Sequence, residues 1–197
     1  MRRIVGDRDH FCYTSNVDGG FVRAGFAPDA VYTVQGDWRY YQCAVACQPD
    51  AVWPSKGTLE RLAANVQSDG QLPSDGDAPV CEHCGGPCRP NVRANSSFLD
   101  APYEEERTRW RGFVDEVVCR PGMKVVILEV GCGFNTPGVT RFPMEALAGS
   151  ADDGRIKLVR INPTDGQCEV PHALASTNRA IALKSGWEVL DQLLPKE

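Results

Sequence analysis

Nine cysteines stand in the 197 residues, and four of them form two close pairs, Cys43-x₃-Cys47 and Cys81-x₂-Cys84. Two short pairs, each able to grip one ion through a tight turn, have the spacing of a tetrahedral thiolate site. Four thiolates leave no open position for water. The chemistry implied is therefore one structural zinc ion, whose binding helps to fold a segment that lacks a core of its own. Gly85-Gly86 after Cys84 gives the second turn its backbone freedom. His83 and Cys88 stand nearby as alternative ligands with less suitable spacing. Cys12, Cys119, Cys132 and Cys168 read as small apolar side chains.

A second group of polar residues follows short apolar runs. These are Thr14-Ser15-Asn16-Val17-Asp18, Gln35-Gly36-Asp37, Gly131-Cys132-Gly133 and Asn162. In an open α/β sheet the carboxyl ends of the strands line the ligand crevice, which makes these loops candidate ligand contacts. The plainer alternative is a set of turns, with Asn16 and Asp18 capping the next helix, Asp37 a solvated carboxylate and Asn135-Thr136-Pro137 a simple bend. Trp38, Tyr40 and Tyr41 are expected to pack against the cysteine-bearing segment.

The elements that must carry these groups can be read from periodicity and breakers. A short buried strand running into a polar loop from Thr14 is expected over 9–17, and strands at Val31–Val34, Lys124–Val130, Ile156–Asn162 and Ala180–Leu183. Helices are expected at Phe21–Gly25, Thr58–Val66, Tyr103–Val117, Pro143–Ala148 and Trp187–Leu194. Between Cys43 and Cys88 the apolar pattern fades and Pro, Gly, Ser and Asp accumulate, above all from Ser68 to Pro79. This reads as a metal-clipped excursion. Strands alternating with helices imply a mostly parallel sheet. The fold class is α/β, a Rossmann-like sheet incomplete at its N-terminus with a small inserted zinc module. The boundaries are 1–38 and 99–197 for the sheet domain and 39–98 for the module.

The bulk numbers narrow the partners. A formal charge of −5, from 21 basic and 26 acidic residues, gives no electrostatic reason to expect nucleic acid or an anionic membrane surface. No apolar run approaches the roughly 20 residues that span a bilayer. The start, Met1 to Arg8, has no apolar stretch behind its arginines and does not read as a secretory signal. Clustered cysteines in a reducing compartment are better metal ligands than disulfides. The expected location is the cytoplasm.

Taken in order, Thr14-Ser15-Asn16-Val17-Asp18, Gln35-Gly36-Asp37, the two cysteine pairs, Cys84-Gly85-Gly86-Pro87-Cys88-Arg89-Pro90-Asn91-Val92, Val130-Gly131-Cys132-Gly133 and Ile161-Asn162 resemble the sirtuins across almost the whole chain. That family binds NAD between a Rossmann-like domain and a small zinc module, releases nicotinamide and passes on the ADP-ribosyl unit. The resemblance implies that Asn16 and Asp18 lie near nicotinamide and ribose. It likewise implies that Thr14, Ser15, Gly131, Cys132, Gly133, Asn135 and Asn162 contact the nucleotide, and that NAD and one zinc ion are the cofactors.

The departures from the family pattern decide the reaction type. Thr14-Ser15-Asn16 replaces Thr-Gln-Asn, Gln35 replaces the catalytic His, and Arg93-Ala94-Asn95-Ser96-Ser97-Phe98 does not resemble the acyl-peptide segment. Nothing in Met1–Asp9 resembles the family's Gly-Ala-Gly phosphate loop, so the chain is expected to match the C-terminal two-thirds of a sirtuin. Glutamine has no useful pKa and cannot deprotonate a ribose hydroxyl, but it can still hydrogen-bond one. The pattern is most similar to the microbial macrodomain-linked sirtuins, which implies ADP-ribosylation of a protein acceptor such as a lipoyl-carrier protein, with Asn16, Asp18 and Gln35 as the catalytic set. A deacylase, or an inactive fold that binds a nucleotide or a partner, stands as the alternative.

Overall fold

Strands form at Cys12–Thr14 (β1), Val31–Thr33 (β2), Gly36–Cys43 (β3), Val52–Pro54 (β4), Cys88–Val92 (β5), Val125–Val130 (β6), Ile156–Ile161 (β7) and Ala180–Leu183 (β8). Helices form at Arg2–Val5 (α1), Gly20–Arg23 (α2), Lys56–Ala64 (α3), Glu104–Cys119 (α4), Arg141–Gly149 (α5), His172–Ser176 (α6) and Trp187–Gln192 (α7). The structure is a computed structural model that describes residues 1–71, 78–184, 187–192 and 194. Part of the Pro/Gly-rich stretch, residues 72–77, lies outside the described residues, as does residue 193 in the expected C-terminal helix. The chain divides into two units, Cys12–Thr108 and Met1–Phe11 with Arg109–Glu197.

In the unit Cys12–Thr108, β1 and β2 pair in parallel, with Cys12 opposite Val31 and Thr14 opposite Thr33. In the stretch 9–17, expected as a short strand running into a polar loop, the strand is the three residues Cys12–Thr14. The backbone N–H of Asn16 bonds the Thr14 hydroxyl at 3.1 Å, a local side-chain turn that competes with the ladder. Thr33 is buried, and the Glu106 carboxylate accepts from its N–H at 2.9 Å and from its hydroxyl at 3.0 Å.

A second, antiparallel sheet of order β4-β3-β5 lies in the same unit. The sequence pattern does not announce it, because β3 buries the polar residues Asp37 and Gln42. Pro90 is tolerated since β5 is an edge strand. Gln42 and Asn91 are fully buried but satisfied. The Asn91 amide donates to Gln42 Oε1 and to the Leu99 carbonyl, both at 2.8 Å, Gln42 donates to the Ser97 carbonyl at 2.7 Å, and the Tyr103 hydroxyl donates to Asn91 Oδ1. Leaving any one of these amides unpaired would cost about 1–3 kcal/mol. Gly36 (φ +93°) is required here, since a Cβ would sit 2.2 Å from the Asn91 carbonyl oxygen.

In the other unit β6, β7 and β8 form a parallel sheet in that order. Its inward side chains gather into two clusters. One is Ala148, Leu158, Leu174 and Ala180, and the other is Val117, Ala151 and Ile156 with Phe113 and Leu147 against them. Arg155 donates to the Val117 and Val118 carbonyls near the end of α4, groups that have no partner within a helix. Within each parallel sheet taken by itself the paired strands end together, so the loops that follow the strands of that sheet are neighbours. No helix among the described residues is long and apolar enough to cross a membrane.

Candidate functional site

In the unit Cys12–Thr108, β1 and β2 leave Asn16 and Gln35 two residues beyond the paired ends Thr14 and Thr33. Their loops are tied together: Val34 N–H bonds the Thr14 carbonyl at 3.1 Å, and Trp38 N–H bonds the Val17 carbonyl at 2.9 Å. A small crevice opens there, lined by Thr14, Asn16, Gly19, Phe21, Thr33 and Arg39 among others. Asn16 is exposed and Ser15 half-buried. The Gln35 amide oxygen is buried and has no hydrogen-bond partner among the described residues. A buried acceptor without a donor fits a hydroxyl-bearing ligand.

The aspartates do not behave alike. Asp18 is exposed and accepts from the Gly20 N–H at 3.0 Å, at the start of α2, with Arg23 beside it at 3.5 Å. The turn-and-cap alternative describes its geometry. The expectation of a solvated Asp37 is overturned, because that carboxylate is fully buried. It accepts from the Arg39 N–H at 2.7 Å and from Nε at 2.8 Å, and Arg39 Nη2 lies 2.7 Å away. A charge taken out of water needs a partner in this geometry. Arg39, held in the crevice wall by Asp37, is a functional candidate that sequence reasoning missed. The signal was the Asp-x-Arg spacing on one face of a strand.

The four thiols Cys43, Cys47, Cys81 and Cys84 converge, with their sulfur atoms all within 4.8 Å of one another. Cys43 ends β3, and the turn behind it closes by Ala46 N–H to the Cys43 carbonyl at 3.1 Å, with Ala46 in the left-handed region at φ 50°. The second turn closes by Gly85 N–H to the Cys81 carbonyl at 2.8 Å, with Gly85 at φ 70°. Backbone donors, Cys47 N–H first, bring Cys43 down to about 6, while desolvation and neighbouring thiols push Cys47 up to about 12. A metal ion would have to displace protons to hold all four as thiolates. This donor set fits one zinc ion and has no open position. Cys88 packs beside the cluster and burial pushes its thiol up to about 11. His83 faces Asp50 at 3.6 Å and the Trp53 ring. Neither belongs to the converging set.

In the other unit, Gly131–Gly133 follows β6 and Asn162 follows β7, whose ends Val130 and Ile161 are paired. Gly131 has φ 73°. Asn162 is buried, its amide donating to the Cys132 carbonyl at 3.2 Å and its Oδ1 accepting from Thr164 N–H at 3.0 Å. Asn135 is exposed. Burial is the main cause that raises the Cys132 thiol, which leaves it neutral.

No protein-family model matches the chain. Among solved structures, a mutant Sir2 homologue in complex with ADP-ribose superposes over 93% of this chain and 58% of its own, with a TM-score of 0.52 and 23% identity. A second Sir2 enzyme structure covers 93% of this chain and 60% of its own, with a TM-score of 0.51 and 18% identity. The chain carries the Sir2 sirtuin fold. A probable bifunctional ADP-ribose hydrolase/ADP-ribosyltransferase of Fusarium oxysporum f. sp. cubense is 39% identical over 155 residues, 78% of this chain and 26% of the relative. A protein ADP-ribosyltransferase of Staphylococcus aureus (strain Mu50 / ATCC 700699) is 24% identical over 149 residues, 75% of this chain and 45% of the relative. The chain thus spans about a quarter and under half of these relatives. Sirtuin fold and sequence relatives together fit a sirtuin-like ADP-ribosyltransferase family.

Within the sirtuin fold, the expected site residues fall into three groups. Thr14, Ser15, Asn16, Asp18 and Gln35 share the loops after β1 and β2. Gly131, Cys132, Gly133 and Asn162 share the ends of β6 and β7, with Asn135 two residues farther along. The four cysteines form the metal centre.

Proposed function

We propose that the chain is an NAD-dependent protein ADP-ribosyltransferase of sirtuin type, acting on a lipoyl-carrier protein in the reducing environment of the cytoplasm. The observation that carries this reading is Gln35, whose buried amide oxygen lacks a donor among the described residues. It stands where the resemblance calls for a basic His. It offers a hydrogen-bond acceptor and no proton-accepting base, which suits orienting a ribose hydroxyl and not the base-assisted step of deacylation. The 39% identical relative, named a probable bifunctional ADP-ribose hydrolase/ADP-ribosyltransferase, supports the same choice.

NAD supplies the ADP-ribosyl unit, with nicotinamide as its leaving group. In this reading Asn16 orients the amide end, and Asp18, exposed and part-engaged by Arg23, offsets developing positive charge. Thr14 holds the Asn16 backbone through its hydroxyl, and Ser15 lies in the same loop. Gly131, Cys132, Gly133, Asn135 and Asn162 serve the adenosine side. The functional partition is a nucleotide-binding domain of 1–38 and 99–197 with a zinc module at 39–98. Four cysteine thiolates would hold the zinc, which keeps that module folded.

Incubating zinc-loaded protein with labelled NAD and purified carrier proteins tests this. Label on the carrier, with acyl-lysine peptides left intact, is the expected result. NAD binding with neither transfer nor hydrolysis would reject the enzyme reading.

A further inference from the structure

A chain of four charges of alternating sign runs through the unit that holds the Gly131–Gly133 loop. Glu129 on β6 pairs with Arg160 on β7 as a two-bond fork, through Nε and through Nη2 at 3.0 Å. Arg160 Nη1 reaches Glu145 on α5 at 2.8 Å, and Glu145 lies 3.4 Å from Arg141 Nε one turn earlier. Arg160 and Arg141 are buried with no more than a few per cent of their surface exposed. A fork of this kind fixes the plane of a guanidinium as well as its position.

Arg141, the last member, spends its donors on backbone carbonyls. It donates to Cys132 O at 3.3 Å, to Gln167 O at 2.7 Å and to Glu169 O. Arg160 donates to the same Glu169 carbonyl at 2.6 Å, and Asn162 donates to the same Cys132 carbonyl at 3.2 Å. The Phe134 ring covers the outer face of the Arg141 guanidinium at 3.9 Å. The glycine turn after β6 and the irregular 162–170 segment after β7 are therefore bolted to one another through Arg141. A Cβ on Gly133 would meet Gln167 Oε1 at 1.8 Å, so the two segments also touch at that point.

We propose that Arg141 is a positioning residue for nucleotide binding: through three carbonyls it locks the Gly131–Gly133 turn against the 162–170 segment in the shape that receives the adenosine side of NAD. The proposal rests on the nucleotide reading given above. It also recasts Asn162, buried with its amide committed to Cys132 O, as a second bolt on the same carbonyl.

Lysine at position 141 keeps the charge, but its three donors radiate from one nitrogen in place of the planar fork that spreads over Nη1 and Nη2 to the three carbonyls. Isothermal titration with ADP-ribose is run on the native chain, on Arg141→Lys and on Glu145→Gln, which removes the carboxylate that steers Arg141. The melting temperature of each ligand-free protein is recorded alongside. The expected result is a dissociation constant raised roughly tenfold or more for Arg141→Lys, on the scale by which displaced binding groups lose affinity, and a smaller rise for Glu145→Gln. A purely structural role would lower the melting temperature but leave the folded protein's dissociation constant unchanged. That result in either folded variant overturns the proposal, and Glu145→Gln decides it if Arg141→Lys does not fold. If the native chain binds no ADP-ribose, the nucleotide reading itself falls. Native binding with unchanged variants overturns only the role of Arg141.

Discussion

A buried acceptor with no donor is a standing cost to a ligand-free protein, and Gln35 Oε1 has none among the described residues. Burying an unpaired polar group costs about 1–3 kcal/mol. Gln35→Met keeps the length of the side chain and removes the acceptor. Ligand-free Gln35→Met is therefore expected to be more stable than the native chain, by about 1 kcal/mol in urea unfolding. The same change removes a hydrogen bond to a ribose hydroxyl worth about 1–1.5 kcal/mol, so transfer of labelled ADP-ribose should fall about tenfold. A variant that loses stability as well as activity would show that Oε1 is paired inside the protein, and would remove the argument for its ligand role. Asp37 follows the opposite logic. It is fully buried, yet its three contacts with Arg39 leave it satisfied, so it supports Arg39 from behind and offers no free acceptor.

At the scale of elements, the zinc centre joins the end of β3 to the turn before β5, across a segment whose core among the described residues is Cys43, Ala51 and Cys81 with a few half-buried neighbours. So small a cluster cannot fold this segment unaided. Removing the metal with a chelator should unfold this region, seen as loss of one zinc per chain by mass spectrometry and a red shift of tryptophan emission. Trp53, stacked on Tyr41 at 5.6 Å, lies in it. The sign of the pH effect follows from the thiols. The metal-free state holds protons, above all on Cys47 at about 12, and the zinc-bound state holds thiolates. Acid therefore favours the metal-free state, and zinc affinity should fall as pH is lowered. A chelated protein with unchanged emission would contradict the structural assignment. This cysteine pattern was legible because a ligand set must keep its spacing whatever the fold around it. The strands β6, β7 and β8 were legible because they are short runs rich in Val, Ile and Leu, residue types that favour the pleated strand, with Gly or polar residues at their ends. The strands β3, β4 and β5 were not. Gln42 is buried in β3 because Asn91 on β5 satisfies it, and no local pattern announces a partner 49 residues away. Proline at 54 and 90 hides β4 and β5, since its place on an edge strand appears only in the assembled sheet. The left-handed turn at Ala46 was equally silent, because only glycine advertises that conformation.

For the molecule as a whole, the charge of −5 sets a constraint on any anionic ligand. The overall field does not attract a dinucleotide, so affinity must come from local donors and shape. Binding of that kind still stabilises the native state, because a ligand that recognises only the folded chain shifts the unfolding equilibrium by mass action. At a concentration about a hundred times the dissociation constant, the gain is about 2.7 kcal/mol. For a chain of this length each kcal/mol raises the melting temperature by about 2–4 °C. ADP-ribose at saturation should therefore raise it by about 5–10 °C in a thermal-shift measurement on zinc-loaded protein. AMP at the same concentration, which lacks the distal ribose that Gln35 would meet, should give a smaller rise. Gln35→Met separates the two sources of affinity. If Gln35 contacts the distal ribose, the variant loses part of the ADP-ribose shift and keeps all of the AMP shift. Equal losses with both ligands would place the Gln35 contribution in the fold instead, and no shift with either would leave the sirtuin fold of this chain without a nucleotide.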